Sequence, residues 1–201
     1  MAEKKPLRIG LVGYGFMGRT HSNAFRKAPN FFDLDHEPVL AAVCARNRTR
    51  PRKFAKQWGW ESVVTDWRKI VDRDDIDVID IASPNDTHHD IAVAAAEAGK
   101  AILCEKPLSL SVNQCKEMAV VIQDTGTFFQ LGFMRRFDSA YLTTKQKMEA
   151  GEIGKPIQFK GTSRDKEQAS LEFLDPKHSG GLFIDMGIHD FDLARWLMGE
   201  V

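Results

Sequence analysis

The chain has little cysteine, no surplus of charge of either sign and no long apolar run. Its three cysteines, Cys44, Cys104 and Cys115, are odd in number and widely spaced. Those features match no metal-ligand pattern and give no sign of a disulfide framework, so a reduced cytoplasmic setting without a structural disulfide or bound metal is expected. Lysine plus arginine number 28 and aspartate plus glutamate number 28, a formal net charge of zero. A protein that tracks nucleic acid or an anionic membrane carries excess positive charge, so neither is an expected partner. No apolar stretch approaches the roughly 18 residues of a membrane span. The charged opening Met1-Ala2-Glu3-Lys4-Lys5-Pro6 leads straight into an apolar run and does not read as a secretory leader. Internal repeats, low-complexity tracts and long linkers are also lacking.

What is present begins at Leu7. The apolar run Leu7 to Val12 leads into Gly13-Tyr14-Gly15-Phe16-Met17-Gly18, and a helical pattern follows from Arg19 to Lys27. Strand, glycine turn and helix are the context that gives G-x-G-x-x-G its meaning as a dinucleotide-binding turn. Gly13 permits the turn, Gly15 leaves room for a pyrophosphate, and Gly18 lets the helix pack on the strand. The free N–H groups of the helix start then face the phosphates. Gly13, Gly15, Phe16, Met17 and Gly18 are therefore the first cofactor-binding candidates.

Strand and helix patterns alternate beyond the turn. Strands are expected at 38–45, 76–82, 101–105 and 128–133, and helices at 51–58, 66–73, 87–98 and 111–124. Such alternation predicts an α/β fold, a Rossmann-type doubly wound parallel sheet covered on both faces, over residues 1–133. Residues 134–201 read differently, with a helix at 139–150, a turn at 151–156, a strand at 157–161, an irregular polar stretch at 164–179 and a helix from Gly180 to Met198. One strand and two helices cannot bury a sheet face. This region is expected to be the start of a truncated α+β substrate domain.

Cofactor choice has a local signature. An acidic residue after the second strand usually binds the ribose 2′-hydroxyl of NAD, about 20 residues beyond the glycines. Here the strand ends Val43-Cys44-Ala45-Arg46-Asn47-Arg48, with Ala45 at the acidic position, 27 residues after Gly18. The extra length suggests an inserted loop at 30–37. A missing acid with Arg46, Arg48 and Arg50 nearby favours the 2′-phosphate of NADP. The same arginines also suit the solvated start of a helix, which leaves NAD open.

The candidate reaction groups fall at strand ends and on the last helix. Lys106 follows the 101–105 strand, and ligands in such sheets sit outside the carboxyl ends of the strands. Ser83, Pro84, Asn85 and His88 follow the 76–82 strand and are expected to line the nicotinamide side; Asn85 or Asp86 also suits a helix N-cap. His89 is expected at the surface. Arg135 and Arg136 follow the 128–133 strand; one of the two is expected to contact substrate hydroxyls and the other to be exposed, with the spacing not deciding which, and Arg135 is carried forward as a substrate-contact candidate. Asp185 and His189 are four apart on an expected helix, about 6 Å apart at Cβ. A carboxylate there can orient an imidazole and raise its basicity, although the same spacing makes an ordinary surface pair.

Taken together, these motifs resemble the glucose–fructose oxidoreductase / inositol dehydrogenase family, Gfo/Idh/MocA. The resemblance rests on the glycine turn, Ser83-Pro84-Asn85-Asp86-Thr87-His88, Cys104-Glu105-Lys106-Pro107, Gly132-Phe133-Met134-Arg135-Arg136, and Gly180-Gly181-Leu182-Phe183-Ile184-Asp185-Met186-Gly187-Ile188-His189-Asp190-Phe191-Asp192. It spans essentially the whole chain, and its last third looks most like the inositol dehydrogenase branch. It implies an NAD(P)-dependent oxidoreductase acting on a secondary hydroxyl of a cyclic polyol or sugar, and a homo-oligomer. It assigns Lys106, Asp185 and His189 to catalysis, with His189 as general base and Asp185 as its partner. Glu105 and Lys106 join the cofactor contacts, and Lys106, Arg135, Asp185 and His189 the substrate contacts. The branch commonly uses NAD, against the lean toward NADP. The alternative is a non-catalytic dinucleotide-binding or partner-subunit protein lacking its second domain.

Overall fold

The structure is a computed structural model describing residues 4–47, 49–164 and 171–200. Arg48, and residues 165–170 of the irregular stretch, lie outside the described residues. The chain divides into two compact units after Leu131.

The first unit alternates strands and helices. In chain order they are β1 (Lys5–Val12), α1 (Phe16–Phe31), β2 (His36–Cys44), α2 (Thr49–Trp58), β3 (Ser62–Val64), α3 (Arg68–Val71), β4 (Val78–Ile81), α4 (His88–Glu97), β5 (Ala101–Cys104), α5 (Val112–Thr125) and β6 (Phe129–Leu131), with a 3-10 turn, Asn85–Thr87, before α4. All strand pairings are parallel, in the order β3-β2-β1-β4-β5-β6. Strand order therefore reverses between β1 and β4, the place where open α/β sheets bind their ligands.

Alternating side chains cover both faces of the sheet. Ile9 and Leu11 of β1 join Leu40, Val43, Phe54 and Trp60 in one cluster. Val12 lies in the other, with Ile70, Ile76, Ile79, Ile81, Ile91, Ile102 and Met118. Near-continuous apolar strands are what a sheet buried on both sides requires.

Some sequence expectations are revised. The extra residues before Ala45 do not form a loop at 30–37. Instead α1 runs through Pro29 to Phe31 and β2 begins at His36. Pro29 forgoes one intrahelical bond close to the helix end, where little of the ladder is lost. Strand β3 has no counterpart among the sequence expectations; three residues are too few for a periodic signal, and its identity comes from pairing with β2.

The second unit contains a 3-10 turn at Met134–Phe137, α6 (Ser139–Glu149), α7 (Leu171–Leu174), α8 (Pro176–Ser179), a π-helical turn at Phe183–Gly187 and α9 (Ile188–Met198). The Asp138 carboxylate caps α6 by accepting from the N–H groups of Ala140 and Tyr141. The expected strand at 157–161 is not formed. It makes no ladder with any described strand, and Ile157 is 93% exposed. A strand needs a partner for its N–H and C=O groups, and period-2 patterning cannot supply one. The stretch 164–179 is not irregular throughout: α8 starts at an Asp-Pro signal, with the Asp175 side chain accepting from the Lys177 N–H.

Candidate cofactor site and catalytic residues

The glycine turn lies at the strand-order reversal. Gly13 has φ +101°, a left-handed conformation that glycine alone adopts cheaply. A Cβ on Gly13 would overlap the Ala82 carbonyl just beyond β4, and one on Gly18 would overlap the Gly13 carbonyl. These two glycines are explained by close backbone approach within the protein.

Gly15 is different. A Cβ there would meet nothing within 4 Å, and φ −66° suits any residue. Gly15 caps α1, which has no side-chain cap bond and no acidic residue in its first turn. The helix start thus presents N–H groups and positive dipole to open space, the arrangement that takes a phosphate. These residues fit a dinucleotide's pyrophosphate. Phe16 is exposed, with the Arg19 guanidinium 5.7 Å from its ring, and Met17 is half-buried.

The neighbouring rim follows β4 and β5. Ser83 is half-buried and its hydroxyl lies 2.6 Å from that of Thr87. Pro84 is exposed and Asn85 buried. His88 does not line an open face. Its ring is 0% exposed, with Nδ1 2.7 Å from the Pro107 carbonyl and Nε2 3.0 Å from the Ser83 carbonyl. It joins the two rim loops to each other, and burial is what separates it from a ligand contact. His89 is not a bare surface group either. It lies against Asp90 at 2.8 Å and Glu117 at 3.0 Å. Burial alone would lower its pKa, but these two carboxylates outweigh that and raise it. Lys106 is half-buried just beyond β5, before a cis peptide to Pro107. The buried Glu105 carboxylate accepts the Lys106 backbone N–H at 3.2 Å.

Sequence reasoning missed a buried cluster beneath this rim. His21 of α1 places Nδ1 2.9 Å from an Asp80 oxygen and Nε2 3.1 Å from a Glu105 oxygen. Asp80 is fully buried in β4. Burial pushes the His21 ring down, but the two carboxylates overcome it and raise its pKa to about 10. The available signal was Asp80 itself: a charge inside Val78-Ile79-Asp80-Ile81 needs a buried partner.

At the end of β2 the Ala45 methyl is buried, and its N–H donates to the Val64 carbonyl at 3.1 Å. Arg46 and Arg50 are exposed. No acidic side chain occupies the Ala45 position, as the sequence dictates.

The remaining candidates lie in the second unit. Asp185 sits in the π-helical turn and His189 in the first turn of α9. The spacing between them is therefore not that of a regular α-helix, because a π turn widens the helix locally; such turns occur often at functional sites. The edge of the His189 ring meets Phe133, with centroids 6.5 Å apart. Arg135 is anchored by Asp190, to which it donates at 2.8 Å, and the Ser163 hydroxyl also donates to Asp190. Burial alone would raise the Asp190 carboxyl, but Ser163 and Arg135 hold it below its ordinary value. Arg136 is not simply exposed. It donates through Nε to the buried Asp192 at 2.9 Å and lies within 6 Å of the Phe133 and Trp196 rings. Among the described residues no group of three metal-ligating side chains is arranged for a metal, and no helix is long and apolar enough to cross a membrane.

A nucleotide-binding α/β unit with this rim defines a class, the NAD-binding Rossmann oxidoreductases, and comparison with known proteins narrows it. Residues 7–133 match the family "Oxidoreductase family, NAD-binding Rossmann fold" of the GFO/IDH/MocA proteins, and residues 141–201 match the GFO/IDH/MocA C-terminal domain. The chain belongs to this family. It is similar to scyllo-inositol 2-dehydrogenase (NAD(+)) of Bacillus subtilis, 39% identical over 195 residues covering 96% of this chain and 54% of that protein. It is also similar to levoglucosan dehydrogenase of Pseudarthrobacter phenanthrenivorans, 38% identical over 201 residues covering 96% and 52%. Among solved structures, levoglucosan dehydrogenase in complex with NADH and L-sorbose superposes with TM-score 0.90 at 36% identity, covering 98% of this chain and 54% of that one. The chain spans about half the length of the relatives it matches.

Proposed function

We propose that this chain carries the nicotinamide-dependent part of a dehydrogenase that oxidises a secondary hydroxyl of a cyclic polyol or sugar, with an inositol as the best single candidate. The observation that carries the reading is Gly15: an open glycine at an uncapped, acid-free helix start beside the strand-order reversal. Similarity to inositol and levoglucosan dehydrogenases supports the substrate class.

When bound, the nicotinamide supplies the hydride acceptor, and the protein's part is to orient and polarise. Gly13, Gly15 and Gly18 with the α1 start hold the pyrophosphate. Phe16, Met17, Ser83, Pro84, Asn85 and Glu105 border the cofactor, and His88 acts only by holding that rim. Lys106 polarises the substrate hydroxyl and stabilises the alkoxide as it develops. His189 accepts the hydroxyl proton, and Asp185 orients its imidazole. Arg135 steadies the substrate hydroxyls.

Ala45, with Arg46 and Arg50 exposed beside it, favours NADP over NAD. The family resemblance supports a homo-oligomer. The free thiols suit a cytoplasmic setting. The test is calorimetry with NADH and NADPH, followed by a polyol screen with both cofactors. Binding with turnover on an inositol or anhydrosugar supports the enzyme. Tight binding with no turnover on any polyol favours a dinucleotide-binding subunit, and no binding of either cofactor rejects both.

A further inference from the structure

We propose that His21 is a positioning residue: held between Asp80 of β4 and Glu105 beyond β5, it ties the helix that starts at the glycine turn to the backbone of Lys106. The proposal rests on the reading of that turn and Lys106 as parts of one cofactor site.

The geometry is a bridge across three elements. His21 lies in the second turn of α1, whose first residues form the phosphate-facing start. Its Nδ1 is 2.9 and 3.0 Å from the two Asp80 oxygens, and its Nε2 is 3.1 Å from Glu105 Oε1. A neutral imidazole donates from one nitrogen only, whereas a doubly protonated ring donates to both carboxylates. Phe25, edge-on at 6.5 Å, borders the ring.

The second oxygen of Glu105 carries the consequence. Oε2 accepts the Lys106 backbone N–H at 3.2 Å while Oε1 faces His21. Asp80 and Glu105 are both buried, so replacing the imidazolium by water is costly for either carboxylate. If Nε2 loses its proton, Glu105 must take one up or turn toward solvent, and the bond that holds Lys106 N–H changes with it. Among the described residues, the carboxylates that face the ring are Asp80 and Glu105, and beside both lies the Cys104 thiol. Burial first, then these two carboxylates, push that thiol well above its ordinary range, so it stays protonated. No metal is needed to explain the cluster, because both ring nitrogens already face carboxylates.

The test is nitrogen-15 NMR of the 201-residue chain, using Lys106→Met so that the amide at position 106 is read without an adjacent ammonium titration. That amide should shift with the same midpoint as the His21 ring protons, well above the pH of an ordinary imidazole. At pH 7, His21→Leu should displace the Lys106 amide signal from its wild-type position and weaken NADH binding at least ten-fold. An amide at position 106 indifferent to the His21 titration overturns the proposal. So does a folded His21→Leu chain with wild-type NADH affinity. If His21→Leu does not fold, the NADH affinity of Lys106→Met, measured across the same midpoint, decides the binding arm. Failure of the wild-type chain to bind either cofactor would instead reject the dinucleotide reading, while the amide titration still judges the tie.

Discussion

Gly18 packs so closely beneath Gly13 that a methyl group on Gly18 would overlap the Gly13 carbonyl oxygen, whereas the same group on Gly15 would meet no protein atom within 4 Å. The glycines of one motif therefore answer to different demands. Gly18→Val should destabilise the fold, because backbone must move to admit the side chain. Gly15→Val should melt close to the wild-type temperature yet bind NADH at least ten-fold more weakly, a loss of about 1.4 kcal/mol. Paired thermal melts and calorimetry check the contrast. Unchanged NADH affinity in folded Gly15→Val would remove the pyrophosphate from this turn.

The parallel sheet was legible because its evidence is local: apolar runs such as Ile76–Ala82 each end at a turn signal and hand over to a helix. Less legible was whatever depended on a distant partner. Residues 157–161 have strand-like patterning but no ladder with any described strand, and three-residue β3 is a strand only because β2 lies beside it. The site divides in the same way. Gly13, Gly15 and Gly18 announce themselves by spacing, while His21 looks like any polar residue on α1 until Asp80 and Glu105 are brought to it. His88 carried a motif signal, but its complete burial between two carbonyls is a tertiary fact that no spacing contains.

We propose that Ala45 stands where an acidic residue would hold an unphosphorylated ribose. Ala45→Asp should shift preference toward NAD, since a carboxylate repels the 2′-phosphate and accepts from the 2′-hydroxyl. The measurement is the ratio of NADPH to NADH dissociation constants in both proteins. A wild-type chain that already binds NADH the more tightly would show that Arg46 and Arg50 are only a solvated helix start.

Stability should depend on pH through His21. Its folded pKa, about 10, lies above the ordinary imidazole value of 6.5, so the proton is bound more tightly in the folded state. The resulting stabilisation is whole below pH 6.5 and lost as pH rises toward 10. The wild-type melting temperature should therefore fall between pH 7 and pH 10, and fall less in His21→Gln. Equal slopes in the two proteins would show that the ring is not held as an imidazolium.

Arg136 and Asp192 form an unequal pair, with side chains 41% and 6% exposed. Removing the arginine leaves a buried carboxylate without its guanidinium, and also strips the contacts over Phe133 and Trp196. Arg136→Ala should cost about 1–2 kcal/mol, less than breaking a fully buried pair because water can enter where the half-exposed arginine was, and more than Asp192→Ala, whose orphaned arginine can reach water. Denaturant unfolding of both variants tests the order. A larger loss in Asp192→Ala would mean that the aspartate has a second structural duty.

Lys106 and His189 are proposed to serve one proton transfer, Lys106 by polarising the substrate hydroxyl and His189 by accepting its proton. In a form that turns over a polyol, Lys106→Ala and His189→Ala should each lower turnover by roughly 10²–10⁴. Cofactor affinity should change far less, since the proposed pyrophosphate anchor is at Gly15 rather than at either residue. Groups that act on a single step are not additive, so the double variant should be little worse than the poorer single one. Asp185→Asn should keep the fold but lower turnover less than His189→Ala, because it leaves a weaker orienting partner rather than removing the base. Steady-state kinetics with both substrates varied separates the turnover and affinity effects. Near-wild-type turnover in His189→Ala would take the imidazole out of the mechanism and leave Lys106 or a water molecule as the base.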